Sequence, residues 1–138
     1  MNIQQLIKDF AKEQDVPITT RVEGESGEGP SYRATFENGA IAVDFTPQSR
    51  NTLRLEGEIA QLDPTSDEGA RTLTTLLRGN LALLPSQTGS LTLSRDGQRV
   101  ILFELVNLAE ANPHTLTESV ESFLNRLDAF HRGLAAAA

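Results

Sequence analysis

The chain of 138 residues contains no cysteine. Disulfides, thiolate nucleophiles and thiolate metal sites are thereby excluded, and the composition fits a reducing cytoplasm. Long apolar runs are also missing. No stretch approaches the ~18 residues of a membrane span, and the opening MNIQQLIKDFAKEQD lacks the apolar core of a secretory signal. Histidine is scarce: His114 and His131 fall at opposite ends of one predicted helix, too far apart to share a ligand, and suit surface or capping roles. No HExxH, P-loop, GxGxxG or GxSxG pattern is present. The aspartate-rich stretch Asp63 to Glu68 lacks calcium-loop spacing and serves better as a helix N-terminus. Basic side chains are outnumbered, with 12 Lys and Arg against 19 Asp and Glu, a net charge of −7. Arg50, Arg54, Arg71, Arg78, Arg95 and Arg99 are scattered and accompany no aromatic series. A nucleic-acid platform and an anionic-membrane surface are therefore poor readings. Glu56 and Glu58 share a strand face, but no histidine or metal pattern turns them into acid–base machinery. The chain reads as a non-enzyme without metal or cofactor.

What is present is amphipathic. A chain of this length is expected to form a single domain, 1–138, and can bury about two thirds of its unfolded surface. Its centre is DPTSDEGARTLTTLLRGNLALL, from Asp63 to Leu84. Thr65 and Glu68 have capping-box spacing. Leu73, Leu76, Leu77, Leu81 and Leu84 then recur at steps of three and four, as one helical stripe interrupted by Asn80. Each leucine contributes roughly 1.5–3 kcal/mol when fully buried, so the stripe must be covered, either by the core or by a second copy. Asn80 either sets register in such a seam or lies at its edge in water.

Around this helix the pattern alternates. Ile3, Leu6, Ile7 and Phe10 share one face of an opening helix from Asn2 to about Glu13, and Pro17 lies beyond its end. Val16 to Glu23 reads as extended, and Glu23 to Ser31 as a mobile acidic loop. Tyr32, Ala34 and Phe36 then alternate with Arg33 and Thr35. Asn38-Gly39 marks a hairpin turn, and Ile41, Val43 and Phe45 alternate in turn. Leu53, Leu55 and Ile59 make a third strand, where Gly57 marks a bulge or a close backbone approach. After the central helix come Leu91 and Leu93, an Asp96-Gly97 turn, and RVILFELV from Arg99 to Val106. That near-continuous apolar run predicts a strand covered on both faces in the middle of the sheet. Thr115 and Glu118 repeat the capping-box spacing before a last helix with Leu116, Val120, Phe123, Leu124, Leu127, Phe130 and Leu134 in its stripe. Gly133 and the alanine tail read as a fraying end. The order helix, three strands, helix, two strands, helix predicts an α+β fold with a mostly antiparallel twisted sheet packed with helices.

Four segments in this order resemble the class I type III secretion effector chaperones, the Tir chaperone family. They are IQQLIKDFAKE, LRLEGEIAQLDP with LTTLLRGNLALL, SLTLSRDGQRVILFELV, and LTESVESFLNRLDAFHRGL. The acidic Gly-rich link from Glu23 to Pro30 departs from the pattern by its length. The resemblance implies a cytoplasmic bacterial homodimer with the central helix at its two-fold seam, and so a seam of Leu73, Leu76, Leu77, Asn80 and Leu81 with Leu91 and Leu93 nearby. It implies that the N-terminal segment of a secreted effector wraps the dimer in extended form and stays soluble. Apolar anchors of that segment would enter grooves among Leu6, Ile7, Phe10, Tyr32, Phe36, Ile41, Val43 and Phe45, and an edge strand would accept an effector strand. It implies no nucleotide and no catalysis. The alternative is a small ligand-binding or regulatory α+β domain of the same fold, with a pocket between sheet and helix and no secreted client.

Overall fold

Ile3, Leu6, Ile7 and Phe10 recur at helical spacing, and in the computed structural model they form the buried face of α1 (Ile3–Glu13). The structure describes residues 3–21, 31–49, 51–63, 65–83, 89–94, 96–109 and 113–137. The expected acidic loop up to Pro30 and the end of the leucine stripe at Leu84 lie outside them. After α1 come β1 (Ile18–Arg21), β2 (Ser31–Phe36), β3 (Ile41–Pro47), β4 (Thr52–Gln61), α2 (Asp67–Leu83), β5 (Ser90–Leu93), β6 (Arg99–Asn107) and α3 (Pro113–Ala137). The strands form one sheet in the order β1-β2-β3-β4-β6-β5, with every pairing antiparallel. The segment after α1 is thus a paired edge strand, a sixth strand beyond the five predicted. No helix among the described residues is long and apolar enough to cross a membrane.

The alternation of β2, β3 and β4 sends Tyr32, Ala34, Val43, Phe45, Leu53, Leu55 and Ile59 to one face, where each is buried. The stripes of α1 and α3 cover that face. Phe10 meets Phe45 with ring centroids 5.8 Å apart. Leu116, Val120, Phe123 and Leu127 of α3 are buried in the same cluster. Gly57 makes this fit possible. A Cβ there would lie 2.7 Å from Leu127 Cδ1, so the missing side chain is a notch for α3. The irregularity in β4 lies just beyond it, between Glu58 and Ala60. His131 of α3 is placed there, its Nε2 3.0 Å from the Glu58 carbonyl oxygen, so this histidine ties the helix end to the irregular strand.

One local reading is refined and three are corrected. The Asn38-Gly39 turn is a four-residue loop, because Phe36 pairs with Ile41. Glu37 as well as Asn38 and Gly39 then takes the left-handed conformation, and Gly39 N–H donates to the Phe36 carbonyl at 3.1 Å. Helix α2 is capped by Ser66, not Thr65: Gly69 N–H donates to Ser66 Oγ at 2.9 Å. Thr65 is occupied by Asp63, whose carboxylate accepts from its N–H and its hydroxyl and is held below the usual carboxylate range by them. Helix α3 starts at Pro113, so Thr115 lies inside the first turn and Glu118 meets His114 instead, at 2.9 Å. The same helix continues through Gly133 to Ala137 rather than ending near it.

The two glycines predict opposite responses. Gly57→Ala should destabilise the fold by about 1–3 kcal/mol through overpacking against Leu127. Gly133→Ala, with nothing near the added methyl, should stabilise α3 by up to about 1 kcal/mol. Urea midpoints of the two variants check both signs.

Candidate functional site

The sheet has a helix-covered face and an open face, and the register assigns each side chain to one of them. Cross-strand partners share a face. Leu53 pairs with Val106 and Leu55 with Glu104 on the covered side, while Arg54 pairs with Leu105, Glu56 with Phe103 and Glu58 with Ile101 on the open side. The apolar run of β6 therefore splits. Val100, Leu102 and Val106 are buried under the helices, while Ile101 and Phe103 are half-buried and Leu105 is 58 % exposed. The predicted second cover over this strand is not supplied by the chain's own helices. The signal was in the sequence, since a β6 without polar alternation has two apolar faces, but its register was needed to say which residues the second face holds.

The rest of the open face is charged and paired within itself. Arg33 grips Asp44 through two hydrogen bonds of 2.8 and 3.1 Å, and this carboxylate raises the guanidinium pKa. Arg54 lies 2.8 Å from Glu56 and over the Phe103 ring, 4.4 Å from its centroid. Glu56 is thus engaged by an arginine rather than available as half of an acid–base pair. Among the described residues no cluster of three His, Asp or Glu side chains is placed to hold a metal.

The residues expected to face a client divide by depth. Leu6, Ile7, Phe10, Tyr32, Val43 and Phe45 are at most 5 % exposed and belong to the core of the single chain. Alternation identifies an apolar face but not its cover, and here the cover is α1. Phe36 and Ile41, at the far end of the hairpin, are only partly buried against that core and reach the surface. Of the expected seam, Leu76 is buried in the core. Leu73 and Leu91 are half-buried and Leu93 is 43 % exposed. The side chains of Leu77, Asn80 and Leu81 lie outside the described residues. Leu93 and Leu105 are the exposed large apolar side chains among the described residues. They stand on opposite faces near the two ends of β6, since Leu93 pairs with Val100.

An ion pair that composition could not reveal fixes β6 beneath α3. Glu104 points to the covered side and binds Arg126, with side chains 15 % and 22 % exposed. Burial raises the Glu104 pKa, opposed by the nearby guanidinium. The folded state therefore holds this proton more tightly than the unfolded chain. The stabilisation it brings is complete below about pH 4.3, the ordinary glutamate value, and is lost as pH rises through the raised folded value. Glu104→Gln should remove that slope from a plot of unfolding free energy against pH. Glu104→Ala, which strands Arg126, should cost about 3 kcal/mol. The double replacement Glu104→Leu with Arg126→Met should cost less than about 1 kcal/mol by the same denaturation assay.

Comparison with known proteins then adds a family and a fold. A model described as the Tir chaperone protein (CesT) family matches residues 5–130. No curated protein matches the sequence. Among solved structures, the ExsC–ExsE complex is similar with a TM-score of 0.69 at 14% identity, covering 96% of this chain and 96% of that one. The HopA1–SchA chaperone–effector complex gives 0.66 at 18% identity, with 94% and 93% covered. The Yersinia pestis type III secretion chaperone SycH, in complex with a stable fragment of YscM2, gives 0.58 at 19% identity, with 91% and 97% covered.

Proposed function

The chain belongs to the Tir chaperone protein (CesT) family, and from that premise we propose that it is a cytoplasmic, homodimeric type III secretion chaperone, which binds the N-terminal segment of a secreted effector in extended form. The observation that carries this reading is the family match across residues 5–130. Two of the similar folds support it, one from a chaperone–effector complex and one from a type III secretion chaperone holding a protein fragment.

The geometry fits the two contacts such a protein must make. A second copy would cover α2, with Leu73, Leu77, Asn80 and Leu81, together with Leu91 and Leu93. Leu76 would support this seam from inside. We add the open side of β6 to the surfaces a partner would cover, because Leu105 and the half-buried Ile101 and Phe103 form an apolar strip beside the paired charges. A client would reach Phe36 and Ile41 at the surface, over the floor formed by Leu6, Ile7, Phe10, Tyr32, Val43 and Phe45. The acidic surface keeps such a complex soluble.

Light scattering after size exclusion should give a dimer for the wild type. Leu93→Glu should weaken it by at least about 30-fold, the effect of a ~2 kcal/mol interface anchor, with the circular dichroism spectrum unchanged because the site is already exposed. A wild-type monomer at high micromolar concentration would sink the dimer. Co-expression with its secreted effector should yield a stable complex in which the client's N-terminal segment resists proteolysis. A client that stays unbound and insoluble would sink the chaperone assignment.

A further inference from the structure

Among the described residues, the left-handed non-glycine backbone is concentrated in one place. Among the described residues, the non-glycine positions with positive φ are Asp15 at 52°, Glu37 at 51° and Asn38 at 57°. All three line a single groove of about 630 Å³ between the end of α1 and the β2–β3 loop. Asp15 takes this conformation as the residue that ends α1, with Val16 N–H donating to the Ala11 carbonyl, and Glu37 and Asn38 take it in the β2–β3 loop, so two chain reversals form the walls of the groove. Polar Gln14, Thr35 and Asn38 line the groove around an apolar floor of Val16, Pro17 and Phe36. Val16 and Phe36 are half-buried against the core, so the floor is firm. Backbone hydrogen bonds hold it, from Val16 N–H to the Ala11 carbonyl at 2.8 Å and from Thr35 N–H to the Pro17 carbonyl at 3.1 Å. Its rim carries two exposed carboxylates, Asp15 and Glu37. Lys12 and Glu13 stand one turn back on α1 and offset each other, so the rim stays acidic. Beside it runs β1, an edge strand of the sheet.

We propose that this groove docks an extended client segment in which an aliphatic side chain is flanked by lysine or arginine. The floor takes the aliphatic group, and the two carboxylates attract the cations on either side while repelling acidic segments. The proposal rests on the chaperone reading and narrows it to one class of client sequence. Charge complementarity decides the occupant, because a second copy of this chain, at −7 overall, is a poor electrostatic match for an acidic rim.

Three fluorescein-labelled decapeptides test it by anisotropy at low salt. They carry Leu-Arg-Val-Arg, Leu-Gln-Val-Gln or Leu-Glu-Val-Glu in a Gly-Ser background. The expected order is arginine over glutamine over glutamate, at least about tenfold between the ends, the ratio that ~1.4 kcal/mol supplies. Asp15→Lys with Glu37→Lys should reverse the order. Should lysine at the left-handed positions unfold the loop, Asp15→Asn with Glu37→Gln keeps a backbone-tolerant pair and should abolish the preference. Equal binding of the three peptides, no binding of any, or an order that survives both variants overturns the groove. So does a dimer that the neutral variant converts to monomer, since the occupant would then be a second copy. Any of these results leaves the chaperone reading standing if the co-expressed client still binds. Loss of the client with the peptide order intact sinks the chaperone reading instead.

Discussion

The seating of α3 on β4 at Gly57 is the constraint on which the rest of the structure depends. A side chain at that position would occupy the space of Leu127. With glycine there, Phe123 and Leu127 reach the sheet and close the core over Leu55, Ile59 and Leu102. Helix α1 fills the neighbouring part of the same face, with Phe10 against Phe45. Both terminal helices therefore cover one side of the sheet. The other side must be made tolerable to water by other means or covered by another molecule.

The open face uses both solutions. Across β2, β3 and β4 four of its charges neutralise one another in pairs, Arg33 with Asp44 and Arg54 with Glu56, while Glu58 stands exposed to water. Such pairs contribute little to stability at a surface, but they leave a polar area that water can cover. Across β6 the face is apolar, and Arg54 partly shields it by lying over Phe103. Leu105 has no such shield. A sheet that is polar at one side and apolar at the other directs a second molecule to the apolar part. That apolar part lies toward the β5 edge of the sheet, away from the β2–β3 end where Phe36 and Ile41 reach the surface.

The chain's acidity takes on a local meaning at that end. Net charge alone says only that the protein stays soluble and avoids polyanions. Asp15 and Glu37 are far apart in sequence, and the pairing of β2 with β1 and β3 brings them to the two sides of one apolar floor. Their left-handed backbone follows from where the helix stops and from how many residues the hairpin leaves for its loop.

Much of the architecture was legible in residue order. The stripes of α1 and α3, the alternation of β2 to β4 and the apolar run of β6 specify which elements form and that they make an antiparallel sheet with helices, because hydrophobic period follows backbone geometry directly. Gly57 was legible as a special position for the same reason. The helix caps were less so: Thr65 and Ser66 compete for one role, and the carboxylate of Asp63 decides it by engaging Thr65. What only the tertiary structure decided is cover. Periodicity says that Leu6, Phe10, Val43 and Phe45 need burial, and that Leu105 stands in an apolar strand. It does not say that the first four bury one another while the last is left to solvent. Burial depends on which surfaces meet in space, and that is set by strand register and helix seating across the whole chain.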